Sequence, residues 1–274
     1  AEDGLSQNVI RTITQDSKGF IWIGKWNGLS RFDGYRFVSY LAGSPGDLGV
    51  RSNRIEKIEE DRDGYLWLIS NAGDILRFDP KTDAFTNPAD FFGPERPGFS
   101  VSRIKVMPSG NVWLISGDAG CIRLRNSSLA YEIYDRENQR LKGNVISYIR
   151  EDDQQNTWIL TDNGLAMIRA GETVPVVFFG DNSHSMRQVF HAVLEWDDQI
   201  WFGSDHGRIW RYRKNSGHFS LLQLPGLSSV THLIHGEDRQ AIIGTSGDGL
   251  LLYDLRAEQM EHFNTRNSQL VHDE

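Results

Sequence analysis

A tryptophan set among aliphatic residues returns at a nearly constant interval along the chain. It stands in Ile21-Trp22-Ile23-Gly24, Leu66-Trp67-Leu68-Ile69, Val112-Trp113-Leu114-Ile115, Thr157-Trp158-Ile159-Leu160 and Ile200-Trp201-Phe202-Gly203. Ile242-Ile243-Gly244 continues the series, with Ile242 in the place of the sixth tryptophan, so successive positions lie 45, 46, 45, 43 and 41 residues apart. A period of this length means one supersecondary unit copied in tandem, each copy covered by its neighbours.

The rest of the unit recurs with the tryptophan. Twelve and nine residues before it stand two apolar side chains: Ile10/Ile13, Ile55/Ile58, Val101/Ile104, Ile146/Ile149 and Val230/Leu233, with Phe190/Val193 one residue closer in the fifth copy. Their spacing of three also fits a helical stripe, but each stretch is short, rich in Val and Ile and bracketed by turns, which predicts a strand. Polar turns such as Asp16-Ser17-Lys18-Gly19 and Asp61-Arg62-Asp63-Gly64 join it to the tryptophan strand as a hairpin. A third strand follows at Leu29/Phe32, Ile75/Phe78, Cys121/Leu124, Leu165/Ile168, Ile209/Tyr212 and Leu250/Tyr253. A looser apolar stretch, as in Tyr131-Glu132-Ile133-Tyr134, closes the unit. Four short strands per period predict an all-β chain, a β-propeller of four-stranded antiparallel blades in which the indoles fill the gaps between twisted sheets.

Six copies are visible, at about residues 5–45, 46–95, 96–138, 139–183, 184–224 and 225–266 of a single propeller domain spanning 1–274. The tail Asn267-Ser268-Gln269-Leu270-Val271 resembles the lead-ins Gly4-Leu5-Ser6 and Asp47-Leu48-Gly49, so residues 267–274 are read as the start of a seventh blade in a seven-bladed ring. A ring left one blade short exposes sheet faces that favour dimerisation or an unusual terminal packing.

Composition narrows the function classes. Hydrophobic residues at 39% and eight tryptophans give material for a packed core, which excludes disorder. Against 29 Lys and Arg stand 37 Asp and Glu, a formal net charge of -8 that disfavours nucleic acid as a partner. A single cysteine, Cys121, excludes a disulfide framework and a cysteine-rich zinc site.

The first copy carries a specific likeness. Gly4-Leu5-Ser6-Gln7-Asn8-Val9-Ile10, Gln15-Asp16-Ser17-Lys18-Gly19-Phe20-Ile21-Trp22-Ile23-Gly24 and Asn27-Gly28-Leu29-Ser30-Arg31-Phe32-Asp33-Gly34 closely resemble the opening blade of the sensor propellers of hybrid two-component regulators, and weaker copies extend the likeness to all six repeats. Three departures mark the later repeats: Trp113 lacks the following glycine, Gln155 stands where repeat four should have its turn glycine, and Ile242 replaces a tryptophan. The resemblance implies a periplasmic sensor fragment of an inner-membrane protein, not itself an enzyme. It also implies a second propeller and an immunoglobulin-like module on the same polypeptide, a histidine kinase beyond the membrane, a homodimeric state, and an oligosaccharide ligand whose detection controls polysaccharide-utilisation genes.

Most candidate chemistry reads as structure. The recurring tryptophans and Cys121 are assigned to the core. Asp61-Arg62-Asp63-Gly64 lacks the third and twelfth ligands of a calcium loop, and the clusters Glu59-Glu60-Asp61 and Glu151-Asp152-Asp153 read as solvated turn charge. His232 and His235 are three apart on a strand and so face opposite ways, which leaves no metal site, and no cofactor motif is present. Gly244-Thr245-Ser246-Gly247-Asp248 fails the nucleophile-elbow pattern.

What remains is the set of loops between second and third strands, which in an up-and-down blade open on the face where propellers gather ligands. It supplies the candidate ligand-binding residues Trp26, Asn27, Asn71, Asp118, Asn163, Asp205, His206 and Asp248. Asn and Asp are also ordinary turn formers, but Trp26 at a turn tip has no obvious core role: its flat ring suits stacking on a sugar face, the competing reading being an interface with another domain or protomer. Two other readings are a propeller lyase using His206 and Asp205, and an interaction scaffold that binds no small molecule.

Overall fold

The computed structural model describes residues 9–40, 54–86, 99–125, 130–179, 188–237 and 239–273. Among them the regular structure is all strand, and no helix is long and apolar enough to cross a membrane. The lead-ins at 4–6 and 47–49 lie outside the described residues.

The chain divides into two compact units, residues 1–139 and 140–274. In the first, blade one comprises β1 (Ile10–Gln15), β2 (Ile21–Lys25), β3 (Leu29–Phe32) and β4 (Phe37–Tyr40), and blade two β5 (Ile55–Glu60), β6 (Leu66–Ser70), β7 (Ile75–Asp79) and β8 (Ala84–Thr86). Blade three comprises β9 (Val101–Val106), β10 (Val112–Ser116), β11 (Cys121–Leu124) and β12 (Tyr131–Tyr134). The second unit holds blade four, with β13 (Ile146–Glu151), β14 (Thr157–Thr161), β15 (Gly164–Ile168) and β16 (Val176–Phe178). Blade five has β17 (Phe190–Trp196), β18 (Gln199–Ser204), β19 (Arg208–Arg213) and β20 (His218–Gln223), and blade six β21 (Val230–His235), β22 (Gln240–Thr245), β23 (Leu250–Asp254) and β24 (Gln259–Phe263). Each blade is one four-stranded antiparallel sheet in which strands pair in sequence order, as a propeller blade requires.

The spacing of three in the first strands has a physical cause. In every blade the register between first and second strands slips by one residue, as between Ile55 and Lys57, Ile146 and Tyr148, or Val230 and His232. This β-bulge gives one strand an extra residue, so side chains three apart face the same way. Ile55 and Ile58 accordingly enter one cluster.

The clusters show how blades pack within each unit. Trp22 and Leu29 of blade one meet Ile55, Ile58, Leu66, Leu68, Leu76 and Phe78 of blade two. The same positions bring Trp67 of blade two onto blade three, Trp158 of blade four onto blade five, and Trp201 of blade five onto blade six. Trp22, Trp158 and Trp201 each set an aromatic edge or face against the third strand of the following blade, with centroid distances of 5.2 Å to Phe78, 4.9 Å to Tyr212 and 5.6 Å to Tyr253. Gly24 and Gly203 mark close approaches, since a Cβ at either would lie 2.6 Å from Thr12 or Val230. Gln155, in place of a turn glycine, takes that glycine's positive φ at 62°.

The first hairpin is clamped by an aspartate six residues before the tryptophan. Oδ2 of Asp16, Asp61 and Asp152 accepts the indole Nε1 proton of Trp22, Trp67 and Trp158 at 2.7, 2.7 and 2.8 Å. Oδ1 of each accepts two backbone N–H groups of the turn. The reading of these clusters as solvated charge is therefore corrected for Asp61, Glu151 and Asp152, which are buried, and for Glu60, whose carboxylate binds Ser17 of the preceding blade at 2.7 Å through both backbone and hydroxyl, while Glu59 and Asp153 are exposed. An unprotected indole N–H in a dry interface needs an acceptor, which a turn aspartate is placed to supply.

A second recurrence lies directly across the ladder from the indole. Arg31, Arg77, Arg123 and Arg211 pair with Trp22, Trp67, Trp113 and Trp201 and carry their guanidinium carbons 5.7 to 6.0 Å from the rings. Where the tryptophan becomes Ile242, the partner becomes Leu252.

Two sheet faces are incompletely covered. Ile10 and Ile13 of blade one are 43% and 58% exposed, whereas their counterparts Ile55 and Ile58 are buried. On blade six, Ile234, Ile242, Leu250 and Leu270 line a cavity of about 370 Å3. Residues 264–273 form turns rather than strand, and the Asp273 carbonyl accepts the Gly249 N–H at 2.8 Å. Gln188, two residues before β17, does the same for Gly164 at 2.9 Å, so the tail occupies the position of a blade lead-in.

Candidate functional site

The loops between second and third strands owe their position to a repeated backbone bond. The N–H of Trp26 donates to the Val9 carbonyl at 3.3 Å and that of Asn71 to Arg54 at 2.8 Å; in the second unit Asp162 donates to Val145 at 2.9 Å and Ser246 to Ser229 at 3.0 Å. Each acceptor immediately precedes a first strand, so the loop tips and the blade lead-ins form one surface within a unit.

In the first unit Trp26 is 50% exposed, and the guanidinium of Arg54 lies 4.5 Å from its ring centroid. Arg54 is held in turn by Glu56, which also pairs with Arg11 at 3.2 Å. The sequence drew attention to Trp26 and not to Arg54, which stands 28 residues away; the packing of β1 and β2 against β5 sets them together. Asn27, next in sequence to Trp26, and Asn71, bonded through its backbone to Arg54, are exposed, and Asp118 is exposed with its carboxylate 3.3 Å from the Ser116 hydroxyl. Lys25, just before Trp26, is buried, and desolvation lowers its pKa.

In the second unit the candidates are engaged by their own scaffold. Asn163 Nδ2 donates to the Lys142 carbonyl at 3.2 Å. Oδ1 of Asp205 takes bonds from His191 Nε2 at 2.8 Å and from the Ser229 hydroxyl at 2.7 Å. Burial raises the Asp205 carboxyl, but these two partners outweigh it and hold the group below the usual carboxylate range. Asp248 accepts the Ser228 N–H at 2.6 Å, which lowers its carboxyl in the same way. His206, at φ 58°, is exposed, and the imidazole bonded to Asp205 is that of His191. His191, Ser228 and Ser229 escaped the sequence reading because they belong to strand starts and lead-ins rather than loop tips.

These contacts limit the chemistry. Ser229 and His191 bond the same carboxylate oxygen, so the imidazole does not stand between acid and hydroxyl as a nucleophilic relay needs. His232 and His235 lie three register rows apart and so on opposite faces, and the His235 ring packs at a tilt on Trp196 with centroids 4.6 Å apart. Among the described residues no group of three or more His, Cys, Asp or Glu side chains is arranged to hold a metal. Cys121 is fully buried, and burial pushes its thiol far up. The Trp26 loop instead offers a half-open aromatic ring, a fixed cation and amide side chains, a set suited to a flat polyhydroxylated ligand.

Residues 4–24 match the family described as Two component regulator propeller. No curated protein matches the sequence. Among solved structures, the extracellular domain of the "putative hybrid two component system BT4673" from B. thetaiotaomicron superposes with a TM-score of 0.57 at 22% identity, over 98% of this chain and 35% of that one. The corresponding domain of BT3049 from the same organism gives 0.54 at 21% identity, over 99% and 37%. PorZ, a surface component of the type-IX secretion system of Porphyromonas gingivalis, gives 0.52 at 15% identity, over 96% and 35%. The chain thus spans little more than a third of these relatives, and at such identities the likeness shows the fold alone. Blade one carries a two-component regulator propeller repeat, and the chain has the propeller fold found in extracellular domains of hybrid two-component systems.

Proposed function

We propose that this chain is the ligand-sensing propeller segment of a hybrid two-component regulator, placed in the periplasm and recognising oligosaccharides on the surface formed by its second-to-third-strand loops. The observation that carries this reading is Trp26, a large aromatic half exposed at a loop tip and stacked on Arg54, while the five periodic tryptophans are buried. The match of residues 4–24 supports the regulator class, and the structural likeness to extracellular domains supports the compartment.

In this reading the chain does no chemistry, and kinase and transcriptional output lie elsewhere on the polypeptide. A sugar that binds one arrangement of the sensor better than another biases the equilibrium between them, which is all that signalling requires. The half-covered faces at Ile10/Ile13 and Ile242/Leu250 support packing against further propeller segments of the same polypeptide or a second protomer.

Thermal unfolding against a panel of plant, host and microbial oligosaccharides tests the proposal. A ligand at a hundredfold excess over its Kd stabilises the folded state by about 2.7 kcal/mol. One oligosaccharide class is expected to raise Tm, and Trp26→Ala to remove the rise without unfolding the protein. A panel that leaves Tm flat favours the scaffold reading, and turnover of the sugar favours the lyase.

A further inference from the structure

We infer that blade five carries a second binding site, for a carboxylate-bearing ligand, at the end of the sheet opposite the Asp205 loop. The argument comes from comparing two blades that share a residue pattern. In blade three, Arg123 and Arg125 follow Trp113 by ten and twelve residues, and both bond the carboxylate of Glu132 on β12, with Arg123 Nε at 3.0 Å. In blade five, Arg211 and Arg213 follow Trp201 by the same ten and twelve residues. The partner that the register sets across from Arg211 is Ser220, where blade three sets Glu132 across from Arg123.

Arg211 is kept and the carboxylate across from it is gone, while Arg213 keeps a loose pair with Asp198 at 3.9 Å. Arg211 lies 5.8 Å from the Trp201 ring centroid, the distance that separates Arg123 from Trp113. Its Nε is buried and has no hydrogen-bond partner among the described residues. A buried guanidinium N–H without an acceptor is costly, and a planar carboxylate satisfies the fork geometry best.

A space exists where the missing carboxylate would sit. Two alternate register rows, Gln199/Arg213/His218 and Trp201/Arg211/Ser220, with Ile200/Tyr212/Phe219 between them, share one face of the sheet. Polar members of both rows line a cavity of about 260 Å3, closed on one side by Glu258 from the β23–β24 turn of blade six. This is smaller than the roughly 300–1,000 Å3 that houses a drug-sized molecule, and fits a single ring or a short acid. Gln199, whose Oε1 accepts the Trp201 indole proton at 3.1 Å, keeps its amide N–H2 for the ligand, and Ser216, Ser220 and His218 offer partners for hydroxyl groups. The pattern selects a small polyhydroxylated carboxylate, of which a hexuronic acid is the natural probe. Glu258 adds a like charge at the rim that limits affinity. The site shares no residue with the loop surface of the proposed oligosaccharide reading and stands independently of it.

Isothermal titration of the protein with glucuronate, acetate, glucose and sulfate tests the assignment. Glucuronate is expected to bind and glucose not. Acetate binding as well as glucuronate assigns the site to the carboxylate alone, whereas glucuronate binding better assigns the hydroxyl partners too. Ser220→Glu, which restores the blade-three arrangement internally, should abolish binding and raise Tm; Arg213→Ala should weaken binding by about tenfold or more and Glu258→Gln should strengthen it. A silent glucuronate titration, equal binding of glucose or sulfate, or unchanged binding by Ser220→Glu would overturn the inference.

Discussion

Nε1 of Trp67 donates to Oδ2 of Asp61 at 2.7 Å, and Oδ1 of the same carboxylate takes the N–H groups of Asp63 and Tyr65, each at 3.0 Å. One buried side chain thus ties the interblade indole to the hairpin that presents it. Asp61→Ala leaves three donors short of an acceptor and is expected to cost about 1–3 kcal/mol, read as a lower urea midpoint at unchanged slope. A loss within error of zero would show that the aspartate is ordinary turn charge.

Blade three lacks this clamp. Met107 occupies the aspartate position in a turn with the same backbone bonds, and the buried Trp113 Nε1 has no partner among the described residues. Met107→Asp should therefore raise stability, by about 1 kcal/mol. A drop in the midpoint instead would mean that the desolvation of the new carboxylate outweighs the bonds it forms.

The period and the blade architecture were legible because the five periodic indoles are buried between sheets, and a side chain of that size recurring at a fixed interval marks each interface it fills. The bulge was visible only as an unexplained spacing of three, since one inserted residue leaves no compositional trace. The arginine opposite four of the five periodic indoles, Trp158 facing Met167 instead, went unread: it lies on a different strand at +9 or +10, and arginine in a strand ordinarily reads as a solvated face. At the candidate site Trp26 stood out as an aromatic outside the period, but its partner Arg54 is brought to it by sheet packing. Likewise Asp205 finds His191 fourteen residues back, while its neighbour His206 is exposed at positive φ.

The Lys214 ammonium, whose side chain is 3% exposed, lies 2.7 Å from both Asp153 and Glu195 and joins blades four and five. Desolvation lowers its pKa, but its bonds to Asp153 and Glu195 outweigh this and raise it; the Lys214 hydrogen bond in turn lowers Asp153. The raised lysine adds stability that is full below its unfolded value of about 10.4 and fades as pH climbs through the folded one. The lowered aspartate adds stability that is full above its unfolded value of about 3.9 and fades as pH falls through the folded one. Lys214→Met is thus expected to cost about 1–3 kcal/mol near neutrality, with the difference from the parent narrowing at both extremes. A difference that is constant from acid to alkaline pH would assign the loss to packing.

Cys121 has no exposed surface, and its thiol is held protonated by burial. Alkylation by iodoacetamide should be undetectable in the folded protein and should track unfolding as urea is added. Rapid labelling in native buffer would place the residue outside the core.

The indole N–H resonances of the 15N-labelled protein, recorded with and without an oligosaccharide that raises Tm, test most directly the division between core tryptophans and a ligand-facing one. Trp22, Trp67 and Trp158, bonded to buried aspartates, should resist exchange with D2O and hold their positions, while Trp26 exchanges at once and shifts with sugar concentration. A Trp26 signal that stays fixed while the sugar binds, or fast exchange at the three bonded indoles, would contradict the account.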